Sequence, residues 1–310
     1  MITDLGDEAK EYGRQALRAF QSAGGDELVQ RAEADPTARA ALVEHVLAEL
    51  GAWELEPRGD AEQLEAAAAL CRSAGYWALP YPVAERLCRT ADDDGLIVVA
   101  DTRPAGAVAG LDANWAAVTL DGRRGAAVAI GEPEAAFVTR LAVTVTDGDG
   151  LADLPAALVL PCWTLLGMLD RALELTIHHV RMRQQFGQPL SAFQSVQFQL
   201  TDGEVERAGL EMLAKYAIWS VAEDRDEALN DALALRMAAL EAAEIVFRIT
   251  HQLHGAVGFC DETTLSWLSR YSQPLRRLPQ GLSATRALLT ERLGAQGLTG
   301  PYGADRESVS

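Results

Sequence analysis

Between Arg181 and Leu200 the chain reads RMRQQFGQPLSAFQSVQFQL. A helix ends there, an Arg-x-Gln-Phe-Gly turn follows, and a new helix is expected with Ser191 as its N-cap. Such a junction sets the Arg183 guanidinium and backbone N–H groups beside a helix N-terminus. These are the ingredients of a pyrophosphate site. Helix junctions carrying an arginine are common, so the spacing alone leaves a plain surface turn open. A second stretch, His251–Phe259, reads HQLHGAVGF. Its HxxH pair has no carboxylate motif nearby, which argues against a metal site. Arginines also cluster at Arg181 with Arg183, and at Arg270 with Arg276 and Arg277. Either cluster could hold an anionic substrate or be solvated surface.

The elements that must position these residues can be read from periodicity. Residues 1–100 read as an N-terminal helical domain. Leu42, Val46, Leu47 and Leu50 recur at helical spacing, and AEQLEAAAALCRSAGYWAL is alanine-rich. Gly75 and the prolines of LPYPV interrupt that pattern before VAERLCRTA resumes it. Residues 101–152 change to short β-type runs, AAVTL and LAVTVT, between DG and GD turns. They read as a reduced β module, too short for an ordinary barrel or sandwich. Glu-Pro within Ile130–Ala136 reads as a turn. Residues 153–298 read as four long helices with short connections, an antiparallel four-helix bundle. Gly255 would close the third helix, and residues 299–310 read as a flexible tail. The fold class expected is therefore mainly α.

Composition limits the partners. The net charge is −18, with no basic stripe to offset it, which excludes a nucleic-acid binder. Apolar residues make up 49% and charged residues 23%, an ordinary globular balance. No apolar run is read as approaching the roughly 20 residues of a membrane span. The start MITDLGDEAKEYGRQ lacks an apolar signal core, so a cytoplasmic location is expected. The four cysteines, Cys71, Cys88, Cys162 and Cys260, are far apart and are expected to be reduced and buried.

The wording of the two stretches is more specific than their physics. Arg183-x-Gln-Phe-Gly-x-Pro, followed by a phenylalanine-glutamine pair and a long helix, resembles the acyl-CoA dehydrogenase family. HQLHGAVGF resembles that family's Q-x-x-G-G-x-G-F segment, and SAGYWALPYPVAERL is similar to its first helical domain. The resemblance is strong over 155–300, weaker over 1–100 and poor over 101–152. It implies FAD as cofactor. Arg183 would bind the pyrophosphate, Gln185 would hydrogen-bond the cofactor, and Phe186 would pack by its adenosine side. Gln252 would contact the ADP portion, with Gly255 allowing close backbone approach, toward an FAD held mainly by a neighbouring subunit. The second glycine of the family pair is Ala256 here. Core packing for Phe186 and Phe193, and a solvated helix-end role for Gln252, are the plainer alternatives.

The family's reaction needs a carboxylate to take the α-proton of the acyl thioester. Its usual place falls at Pro279 or Gln280, and its other known place falls near Ala157, with Leu158 following; none of these can act. Asp153 is close by but out of register. The middle segment also lacks the family's T-E-P-x-A-G-S-D type stretch. The resemblance therefore implies a non-catalytic subunit of a heteromeric acyl-CoA dehydrogenase, similar to those of actinobacterial steroid degradation. A catalytic partner would supply the glutamate, with two copies of each chain. Two other readings compete. One is a flavin-free scaffold of the same fold. The other is an active enzyme whose base is Asp261 or Glu262, residues otherwise expected to cap a helix.

Overall fold

The computed structural model describes residues 4–108, 113–130 and 139–296. The turn expected at Ile130–Ala136 lies almost wholly outside them, and so does the expected tail at 299–310. Five helices open the chain: α1 Asp7–Ala23, α2 Glu27–Ala34, α3 Arg39–Glu49, α4 Ala61–Tyr76 and α5 Val83–Leu87. The sheet follows, with β1 Gly95–Val99, β2 Ala105–Val108, β3 Trp115–Thr119, β4 Arg123–Ile130 and β5 Thr139–Asp149. After it come α6 Leu154–Met182, a two-strand hairpin (β6 Gln184–Gln185 and β7 Gln188–Pro189), α7 Gln194–Ala222, α8 Ala228–His254, α9 Thr264–Arg277 and α10 Leu282–Gln296. The architecture is the mainly α one expected, with the small sheet between two helical regions.

The sheet runs in the order β1-β3-β4-β5-β2, with β1 and β3 parallel and the other pairs antiparallel. β1 falls inside the stretch read as helical. Its sequence, GLIVV, is buried throughout, so it shows no polar alternation to mark it as a strand. Among the long C-terminal helices, α6, α7, α8 and α10 correspond to the four expected. α9 is an addition, disguised by its polar face and by Pro274 within it.

α6 is the axis of the molecule. The segment Leu151–Met182 reaches a mean hydropathy of 1.6 over 18 residues, long and apolar enough to cross a membrane. Yet 72% of that window is buried among the other helices, as expected of a core helix. α4 crosses it at very short range. A Cβ placed on Gly75 would lie 2.7 Å from the Thr164 carbonyl carbon, and one on Gly167 would lie 2.8 Å from the Tyr76 amide nitrogen. Gly75 is thus no helix breaker: it lies inside α4 and lets two backbones touch. Beside this crossing, Arg72 Nε donates to Asp170 Oδ2 at 2.7 Å and Arg72 Nη1 to Glu211 Oε1 at 3.1 Å. Arg207 and Lys215 join the same carboxylates, which ties α4, α6 and α7 together.

Candidate functional site

The residues after α6 form a tight hairpin. Gln184 pairs with Pro189 and Gln185 with Gln188, leaving Phe186 and Gly187 at the turn. Both turn residues have positive φ, +53° and +80°, as a two-residue hairpin with the right-handed strand twist demands. Glycine adopts this conformation freely, whereas phenylalanine does so under strain. Two backbone bonds fix the base of the hairpin: Arg183 N–H to the His179 carbonyl at 2.9 Å, and Leu190 N–H to the Arg183 carbonyl at 2.8 Å.

The hairpin points outward. Residues 181–188 are all exposed, and Phe186 is 92% exposed. Core packing is therefore excluded for Phe186; its ring meets that of Phe193 edge to face, at 6.2 Å between centroids. Phe193 itself packs inward, against the cluster of Val180, Val196, Ile249 and Leu253. Arg183 forms no ion pair among the described residues. α7 begins two residues later than expected. Its N-cap is Phe193 rather than Ser191, which lies in a preceding short 3₁₀ turn. No side chain caps this N-terminus, and its first turn carries no acidic residue. Its N–H groups and the helix dipole thus remain available to an anion.

The end of α8 lies at the same end of the bundle. The imidazoles of His179 and His254 stack at 4.3 Å, and the Val180–Ile249–Leu253 cluster lies beneath them. The structure so brings the Arg183 hairpin and the Gln252 helix end together across α6 and α8. His254 Nδ1–H donates to the Thr250 carbonyl at 2.9 Å. Burial pushes the titration of His179, His251 and His254 down, so a neutral histidine cluster supports this end. Among the described residues no group of three His, Cys, Asp or Glu could hold a metal ion. Gln252 is exposed on the last turn of α8, and Gly255 closes it at φ +62° with nothing within 4 Å of a would-be Cβ. Beyond it, Val257 and Phe259 are also exposed, and Phe259 stacks on His251 at 4.4 Å.

The two places where a base was sought, Ala157 with Leu158 and Pro279, line one small cavity between α6, β1 and the end of α9. No carboxylate stands at either place. The carboxyl nearest to that role is one the sequence reading missed: Glu85, on α5, lines the same cavity, and burial pushes its titration up. Nothing in the local pattern of VAERL marks it, because only the tertiary fold brings α5 against α6.

The other acids are engaged elsewhere. Asp153 is a buried pin at the start of α6, held by Arg58 and by Arg124 Nη2 at 2.6 Å. Asp261 and Glu262 are exposed, and Asp261 pairs with Arg270 at 2.6 Å. Neither caps α9, whose N-cap is Thr263. Three cysteines are buried as expected, but Cys260 is exposed in the turn after α8.

Comparison with known proteins places this geometry. Residues 159–286 match the family described as acyl-CoA dehydrogenase, C-terminal domain. The chain is 36% identical over 158 residues to the acyl-CoA dehydrogenase FadE28 of Mycobacterium tuberculosis, a match covering 48% of this chain and 46% of that protein. It is 36% identical over 100 residues to FadE27 of the same organism, covering 30% of this chain and 27% of that one. The matches thus span less than half the length of these curated relatives. In structure, the chain resembles a chain of the ChsE4-ChsE5 complex from Mycobacterium tuberculosis, with a TM-score of 0.73 and 18% identity over 95% of this chain and 99% of that one. It also resembles a chain of the Tcur3481-Tcur3483 steroid ACAD, with a TM-score of 0.74 and 19% identity over 94% and 99%. The chain thus has the acyl-CoA dehydrogenase fold, and residues 159–286 match the C-terminal domain of that family.

Proposed function

We propose that this chain is the non-catalytic subunit of a heteromeric, FAD-dependent acyl-CoA dehydrogenase, present as two copies beside two of a catalytic partner. The reaction is the α,β-desaturation of an acyl-CoA. One observation carries the reading. The hairpin and the α8 end turn Arg183, Gln185, Phe186, Gln252 and Gly255 away from the chain's own core, while both base positions hold side chains that cannot take a proton.

These residues fit the flavin cofactor. Arg183 is exposed and, among the described residues, without an ion pair, beside the open N-terminus of α7, as a pyrophosphate requires. Phe186 offers an apolar face, and the bare backbone at Gly255 permits close approach. When bound, FAD supplies the hydride acceptor for the desaturation. This chain's part is to bind and orient the cofactor's phosphate and adenosine end. The proton at the substrate's α-carbon is left to a carboxylate of the partner.

Partner binding has its own support. Phe198, Val205 and Met212 recur every seventh residue of α7 and are 59–62% exposed. An apolar stripe of that kind on a helix is a surface for another helix. The relatives described as the ChsE4-ChsE5 complex and the Tcur3481-Tcur3483 steroid ACAD are two-name assemblies, which supports a hetero-oligomer and a steroid-derived acyl group.

The test is the visible spectrum of the chain purified alone and after co-expression with its genomic neighbour. A colourless lone chain and a yellow complex with fewer flavins than subunits is the expected result. A yellow lone chain with one flavin per subunit overturns the reading.

A further inference from the structure

The cavity between α6, β1 and α9 contains a charge that no described residue neutralises. Arg236, on α8, lines it and is only 3% exposed. Its Nη1 donates to the Leu275 carbonyl at 3.2 Å and its Nη2 to the Gln280 carbonyl at 2.9 Å. The buried Nε has no hydrogen-bond partner, and Arg236 forms no ion pair among the described residues. A buried guanidinium without a counter-charge is unfavourable and calls for an anion. Glu85 lines the same cavity but forms no ion pair with Arg236.

Size and lining narrow the ligand. The volume is about 50 Å³. With about 10–15 Å³ needed per water-sized centre, that is room for roughly three to five non-hydrogen atoms. The remaining wall is apolar, with Leu96, Ile97, Leu158 and Leu278 among it. A hydrated inorganic anion would be stripped of water against those side chains, whereas a short alkyl group gains from them.

We propose that this cavity is a binding site for a short-chain monocarboxylate of acetate or propionate size. Its carboxylate sits against the Arg236 guanidinium and its alkyl end lies against Leu96 and Leu158. The site is independent of flavin and of the subunit role proposed above, because Arg236, Glu85 and the apolar wall all belong to this chain.

The full-length chain, with any co-purifying partner retained, is titrated with sodium acetate and sodium propionate at constant ionic strength against sodium chloride. Binding is read by saturation-transfer NMR on the ligand methyl protons and by thermal melting. Saturable transfer and a rise in Tm absent with chloride are expected. Leu158→Phe, which fills the cavity and leaves the Arg236 bonds intact, should weaken binding at least tenfold; Glu85→Gln should preserve it. If Leu158→Phe does not fold, Ile97→Phe serves from the opposite wall. Equal effects of chloride and acetate, no saturable transfer, or undiminished binding in the filled variant would each overturn the site.

Discussion

Two regions of this molecule descend from one fold and are built in opposite ways. The bundle end that carries Arg183, Phe186 and Gln252 is open: its side chains are exposed, its helix N-terminus is uncapped, and a strained turn holds a phenylalanine in solvent. The centre where a proton acceptor would stand is closed, with aliphatic side chains around a cavity of about 50 Å³ and Arg236 clasping the Leu275 and Gln280 carbonyls. A region that faces outward is shaped for something outside the chain. A region built around a buried charge in a cavity of about 50 Å³ is shaped for something small.

Both regions hang on one frame, the α4–α6 crossing. Gly167→Ala attacks that frame and should have the largest effect. Its methyl group would meet the Arg72 and Tyr76 backbone, which has no side-chain freedom with which to yield. A loss of about 3 kcal/mol or more is expected in urea denaturation, at the upper end for overpacking. A loss below about 1 kcal/mol would mean that the helices separate easily and that the closed centre is soft.

Arg183→Ala comes next and should separate the two regions. Flavin affinity of the co-expressed complex should fall by about 1.5–3 kcal/mol, roughly ten- to hundredfold, as for a lost hydrogen bond to a charged group. The chain's own stability should change by no more than about 0.5 kcal/mol, because the side chain is exposed. Flavin retained at full occupancy would remove the open end from cofactor binding.

Legibility differed between the two regions for a physical reason. The open site is local: residues 183–189 and 252–255 each lie on one turn, so their order and spacing were visible along the chain. The strained φ of Phe186 and the Phe193 cap were not, since both depend on how the turn closes. The closed centre is non-local. Glu85, Leu96, Leu158 and Arg236 come from α5, β1, α6 and α8, and none of them has a neighbour in sequence that hints at the others. Pro279 and Ala157 could be read as places without a carboxylate, but not the cavity that both of them line. β1 and α9 were missed because a fully buried strand and a proline-bearing polar helix each lack the periodicity that would mark them.

The frame also has an acid limit. Burial favours the protonated form of Glu211, but the guanidiniums of Arg207 and Arg72 outweigh it and hold the carboxyl at about 2, below its ordinary 4.5. A lowered carboxyl stabilises the folded chain fully above 4.5 and loses that contribution as pH falls from 4.5 toward 2. Solvent screening of this partly exposed group reduces the effect to about 1–2 kcal/mol. Glu211→Gln should therefore flatten the stability profile across that acid range. A profile unchanged by the substitution would show that the network joining α4, α6 and α7 does not bear on the frame.

The smallest effect on stability, and the finest discrimination, is expected from Phe186→Gly. The substitution relieves a phenylalanine at φ +53° but loses its edge contact with Phe193. These opposing terms are each about 1 kcal/mol, so the melting of the chain should stay within about 0.5 kcal/mol of wild type. Flavin uptake by the co-expressed complex should nonetheless fall, since the apolar face is gone. A strained residue that can be replaced without harm to its own chain is one kept in place by what it touches elsewhere. If Phe186→Gly instead lowers the Tm while flavin uptake holds, the hairpin belongs to the chain's own packing, and the contrast between an open and a closed region dissolves.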